Sequence, residues 1–150
     1  MKDLKTLATD AKKREALVID CSALINSEVK SKGGFSGMAV KAAFAVVKAF
    51  KPRIIEDSVD GLLDDFVAEL QPFYLQFQEA GSPGNLEQWL PGRSQEIAER
   101  LLTITDRRAD ASSKETLKKA YFKLRPKGKE HVATAIPGVG RVLDKHTPTL

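Results

Sequence analysis

The spacing of apolar residues constrains this chain more than any motif does. They recur every third or fourth position, first as Leu17, Val18, Cys21, Leu24, Ile25 and Val29, then as Ile55, Val59, Leu62, Leu63, Phe66, Val67 and Leu70. That is the repeat of one helical face, whereas a half-buried strand needs strict alternation. Nothing alternates with period two for long enough to make a strand. The expected class is all-α: a compact single-domain bundle over residues 1–150, with about seven or eight helices.

Local signals set the expected boundaries. Thr9 and Asp10 can cap a helix running to about Lys30, and Gly33 and Gly34 stop it. Ser36 is the expected N-cap of "GMAVKAAFAVVKAFK", a helix apolar nearly all round except at Lys41, Lys48 and Lys51, which predicts a place at the centre of the fold. Pro52 should end it and start the next helix, whose outer side carries Glu56, Asp57, Asp60, Asp64 and Asp65. Pro72 is expected to interrupt that helix, and "GSPG" makes a loop. Asn85 and Gln88 have capping-box spacing before a short helix with the lone Trp89, closed by Pro91 and Gly92. Ser94 should cap a helix to about Asp106, and Ser112 with Glu115 another, ended at Arg125-Pro126.

Composition narrows the setting. With one cysteine, Cys21, no intramolecular disulfide and no cysteine-based zinc site can form. The start carries acids throughout and no continuous apolar core, so no secretory signal is read, and no apolar run reaches the roughly 20 residues of a membrane span. A cytoplasmic protein is expected. The net charge of +4 conceals a segregation: residues 1–54 hold 11 Lys/Arg against 5 Asp/Glu, residues 55–99 hold 1 against 10, and residues 107–145 hold 11 against 4. Acidic and basic helices packed side by side would produce this, and so would a footprint for an anionic partner.

A weak internal repeat is visible. "VKAAFAVVK" (Val40–Lys48) lines up with "LKKAYFKLR" (Leu117–Arg125), and a second copy shorter by about one helical turn sets Asp60-Gly61 opposite the Pro137–Gly140 segment, inside a helix. "VIDCSALINSEV", "GFSGMAVKAAFAVVKAFKP", "LQPFY", "TDRRAD" and "HVATAIPGVGRV", in this order, make nearly the whole chain resemble a small family of uncharacterised, mostly actinobacterial proteins. The resemblance implies a cytoplasmic, helical, single-domain bacterial protein. That family has no assigned activity, so no site residue carries over. The chain departs from the family pattern at Asp60-Gly61, where leucines followed by proline are expected.

Two stretches bear on function. Ile136-Pro137-Gly138-Val139-Gly140 resembles the turn of a helix-hairpin-helix, whose bare backbone N–H groups approach a phosphate, with Lys127, Lys129, Arg141 and Lys145 as phosphate contacts. Such hairpins place a small residue four positions after the second glycine, and here that position is Asp144. We therefore read the stretch as a bend between packed helices, with nucleic-acid binding as the alternative. Gly34, Ser36, Gly37 and Lys41 could cradle an anion at a helix N-terminus, without P-loop spacing.

The remaining candidates are weaker. "GFSGM" begins like a nucleophile elbow but ends in Met. The aspartates 57, 60 and 64 share a helical face, read as a solvated face against basic helices rather than a magnesium site. His131 and His146 lack a metal-ligand partner, and Phe73, Tyr74, Phe77 and Trp89 read as a core edge or the lining of a ligand pocket. No metal site, cofactor or catalytic residue is expected. The functional expectation is a non-catalytic protein-interaction or scaffold module, acting on a protein partner or by self-association, with nucleic-acid binding and small-ligand binding between helices as alternatives.

Overall fold

The computed structural model describes residues 2–150, and helices account for nearly all of them, with no strand among the described residues. In chain order these are α1 (Lys5–Thr9), α2 (Ala11–Ser31), α3 (Gly34–Lys48), α4 (Ile54–Glu79), the one-turn α5 (Leu86–Trp89), α6 (Ser94–Asp110) and α7 (Glu115–His146). Short 3-10 turns follow α5 and α7. Six helices exceed a single turn, fewer than the seven or eight expected. The difference comes from prolines.

Pro72 lies inside α4, and Pro126 and Pro137 lie inside α7. Each forfeits one i→i−4 bond and crowds the preceding turn, at about 3 kcal/mol in an isolated helix. Around Pro72 the side chains of Leu70, Phe73, Tyr74 and Phe77 all bury on one face, and burying each contributes about 1.5–3 kcal/mol, so packing carries the helix through. In α7 the buried Ala120, Ile136 and Leu143 do the same across both prolines. The ending expected at Arg125-Pro126 and the bend expected at Pro137–Gly140 are both absent. Asp60-Gly61 and the Pro137–Gly140 segment each lie inside a helix, as the repeat alignment places them.

Helices α2, α4, α6 and α7 surround the core, each packing on the next, with α7 closing back on α2. Leu17, Leu63, Val67, Phe73, Ile97 and Ile136 fill it. Leu4 and Leu7, fully buried, close one end through α1, and the Leu4 N–H donates to Gln71 Oε1 at 2.8 Å. Of the two readings of the aromatic cluster, the structure agrees with the core edge: Phe73, Tyr74 and Phe77 are buried, and Phe77 meets Trp89 edge to face at 5.5 Å.

The capping signals are mixed. Asp10 accepts from the Lys13 N–H at 3.0 Å and Asn85 from the Gln88 N–H at 2.9 Å, as their spacing predicts. Gly33 rather than Ser36 is the N-cap of α3, α6 begins at Ser94 without a side-chain cap, and Ser112 accepts from the Lys114 N–H instead of capping α7. The acidic side of α4 is complemented by basic helices. Arg14 on α2 reaches Asp60 at 2.7 Å and Asp64 at 3.0 Å, while α6 supplies Arg100 to Glu69 at 3.4 Å and Arg108 to Asp65 at 3.6 Å.

Candidate functional site

The glycines of the supposed hairpin are packing devices. Gly138 is buried where a Cβ would fall 2.4 Å from Leu24 Cδ1 on α2. Gly140 lies against the backbone of α5, where a Cβ would fall 2.5 Å from the Leu86 carbonyl oxygen. One turn further on, the Asp144 carboxylate accepts from the Leu86 N–H at 2.8 Å and the Glu87 N–H at 3.0 Å, so α7 caps α5 from outside. The residue that breaks the hairpin pattern therefore has a structural task.

The cations proposed as phosphate contacts are each paired with an acid. Lys127 lies 3.8 Å from Glu130, Lys129 3.6 Å from Glu99, Arg141 3.0 Å from Glu87 and Lys145 2.9 Å from Asp20. They are spread along α7 from Lys127 to Lys145, and of them Arg141 lies beside Gly138. Asp20 also meets the buried His146 Nε2 at 2.6 Å, and the hydrogen bond from Lys145 followed by that from His146 holds its carboxyl below the usual range.

At the start of α3, Gly34 has a φ of +70°, a backbone state that favours glycine. Gly37 packs so closely on the preceding loop that a Cβ would sit 2.6 Å from the Lys32 carbonyl carbon. Ser36 Oγ is committed to His131 Nε2, 2.7 Å away on α7, and burial, then Lys32, push the His131 imidazole below its ordinary pKa. The four residues of the supposed anion cradle are thus close together, but the hydroxyl is spent on joining α3 to α7. Lys41, one turn on, points to solvent and enters no ion pair among the described residues.

Helix α3 itself holds the main surprise. It lies at the periphery, and only Gly37, Val40 and Ala43 of its apolar residues are buried. The centre belongs to α4, whose 26 residues present eight buried side chains on one stripe. Phe35 is 93% exposed, Met38 67% and Val46 44%, with Ala42, Ala45 and Ala49 also exposed at helical spacing. Phe50, just past the helix, and Phe122 on α7 are also partly exposed.

Beside this stripe runs a shallow groove of about 240 Å³ between α3 and the first half of α7. Its floor is Ala39, Ala42, Ala43 and Ala120, and Lys119 and Lys123 stand at its far side. Alanines let an incoming backbone approach closely, and the exposed apolar side chains supply anchors. Between Glu28 and Glu56 the sequence has no acid and six cations, Lys30, Lys32, Lys41, Lys48, Lys51 and Arg53. Lys32 and Lys51 pair with Glu28 and Asp57, while Lys41, Lys48, Lys119 and Lys123 enter no ion pair among the described residues.

Sequence reasoning missed Phe35, Met38 and Val46 because it gave an all-round apolar helix a central place. The usable signal was the acid-free run of lysines through that helix. A larger cleft of about 640 Å³, of mixed polar and apolar lining, runs between α2 and the start of α4, and its Arg14 and Asp60 are clamped to each other.

Fold and surface together define an all-α protein with one helix turned apolar side outward over a cationic groove. Within that class the chain belongs to a family of unknown function (DUF6918), whose model matches residues 4–147. No curated protein and no solved structure matches it. Among the described residues no helix is long and apolar enough to cross a membrane.

Proposed function

We propose that this protein is a single-domain, non-catalytic interaction module that receives an acidic amphipathic helix of another protein in the groove between α3 and α7. One observation carries the reading: Phe35, Met38 and Val46 stand exposed on a helix whose surrounding segment has cations and no acids. An exposed apolar stripe of this kind marks an interaction surface, and the lysines on both sides select a partner with carboxylates flanking its apolar face. A second copy of the chain suits the groove poorly. Two such faces would bring Lys41 and Lys48 of each copy against those of the other.

The acidic side of α4 is the less suitable docking surface, because Arg14, Arg100 and Arg108 already complement it. The divergent repeat fits the same reading, since it gives α3 and the first half of α7 related sequences as the two walls of one groove. A cytoplasmic location suits such a module.

The test is photo-crosslinking in the source cells, with a benzophenone amino acid at position 38 or 46 and at the exposed position 96 on α6 as control. The expected adduct forms from 38 and 46 but not from 96, maps to an acidic amphipathic segment of one other protein, and falls at least tenfold when Lys41 and Lys48 are replaced by Glu. Adducts of α3 with α3 alone, with nucleic acid or lipid alone, or no adduct beyond that of the control would overturn the reading.

A further inference from the structure

Native interiors are packed as densely as organic crystals and hold few voids larger than a water molecule. Between α2, α4, α6 and α7 lies such an exception, a partly open cavity of about 140 Å³. Its inner wall includes Leu17, Leu63, Val67 and Leu143, all buried, with Cys21 of α2 facing the same space. Half-buried Phe66 and Leu101 stand at its edge. All of these walls are apolar.

We infer that this cavity is a binding site for a small uncharged hydrocarbon group, of the size of a benzene ring or a short alkyl chain. Volume and wall chemistry select that class. A water needs two to four hydrogen-bonding partners, and these walls offer only the weak Cys21 thiol, so hydration of the space gains little. A dry apolar cavity of about 150 Å³ lined by Leu, Ile and Phe is large enough for benzene or xenon. Wall atoms facing a void forfeit their dispersion contacts on that side, and a matching apolar guest restores them without any ordered polar group to displace. Charged and strongly polar ligands are excluded by the same walls. The half-buried lining residues, Phe66 and Leu101 among them, leave the space partly open, so a small guest can enter without unfolding of the chain. The inference is independent of the groove between α3 and α7, which lies on the outside of the protein.

Benzene is the probe. Titrated into the purified full-length protein, it should shift the methyl resonances of Leu17, Leu63, Val67 and Leu143 in a saturable way and raise the melting temperature. Two filling variants, Cys21→Leu and Val139→Phe, should each weaken benzene binding at least tenfold. Native mass spectrometry should also reveal any apolar guest retained from the cell. No saturable shift up to the solubility of benzene overturns the inference, as does a shift spread over surface methyls. An unchanged benzene response in a folded filling variant overturns it as well. If both variants fail to fold, the wild-type titration decides alone.

Discussion

Replacing Gly140 by Ala should destabilise the protein, although the same change at Gly61 or Gly128 should stabilise it. In a helix interior Ala is favoured over Gly by about 1 kcal/mol. At Gly140 the new Cβ would meet the Leu86 carbonyl oxygen at 2.5 Å, the Leu86 carbonyl carbon at 2.6 Å and the Glu87 Cα at 2.7 Å, all backbone atoms that cannot rotate away. Restoring ordinary contact near 3.4–4 Å requires α5 and α7 to separate by about 1 Å. That movement would stretch the Asp144 bonds to the Leu86 and Glu87 N–H groups, now 2.8 and 3.0 Å, beyond hydrogen-bonding range. Losing two such bonds to a carboxylate costs about 3 kcal/mol in total after partial compensation by water. Set against the propensity gain, the net loss is about 2 kcal/mol, or about 4–8 °C in melting temperature. Gly61→Ala, with nothing within 4 Å, and Gly128→Ala, whose nearest neighbour is Leu102 Cδ2 at 3.5 Å, should instead gain about 0.5–1 kcal/mol. Urea unfolding of the three variants is the assay. A Gly140→Ala protein as stable as the wild type would refute the reasoning and reopen a conformational role for that glycine.

Asp144→Ala leaves the first two N–H groups of α5 without their acceptor and should cost about 1–3 kcal/mol by urea unfolding, while Asp144→Asn should recover part of it. Acid should weaken the fold through Asp20 and Asp106. Burial raises the Asp106 carboxyl, but hydrogen bonds from Arg125 and Tyr121 outweigh it and leave it below the ordinary value, and Asp20 is lowered by Lys145 and His146. A carboxyl whose folded pKa lies below its unfolded one contributes stability above pH 4 or so and loses it as pH falls through the folded value. Unfolding free energy should therefore drop below about pH 4, with a smaller drop for Asp20→Asn. Phe35→Ser and Met38→Ser, at exposed positions, should change stability by no more than about 0.5 kcal/mol while abolishing the crosslink from position 46.

Much of this architecture is legible in the chain. The three- and four-residue spacing gives the helical class, and the stripe from Val59 to Leu70 is the buried face of α4. Asp10 and Asn85 cap where their spacing says they should. Prolines 72, 126 and 137 were the main obstacle, because local rules count the lost hydrogen bond and cannot see the tertiary burial on either side that offsets it. Gly138 and Gly140 posed a related problem. A glycine needed for close approach inside a helix has the same sequence signature as one in a turn. The open face of α3 was hidden for a different reason: apolarity on all sides identifies a helix with two faces to cover, but not whether the second cover belongs to the same chain.

In the proposed function α3 keeps its apolar side uncovered until a partner arrives, and Met38 reports on it directly, since the chain's other methionine is Met1. Dilute peroxide should oxidise Met38 of the purified protein at close to the rate of a free methionine, at every protein concentration tried. In the source extract that rate should fall several-fold, and Lys41→Glu with Lys48→Glu should restore it. A Met38 already protected in the purified protein would contradict the account, because α3 would then be covered by its own chain or by a second copy.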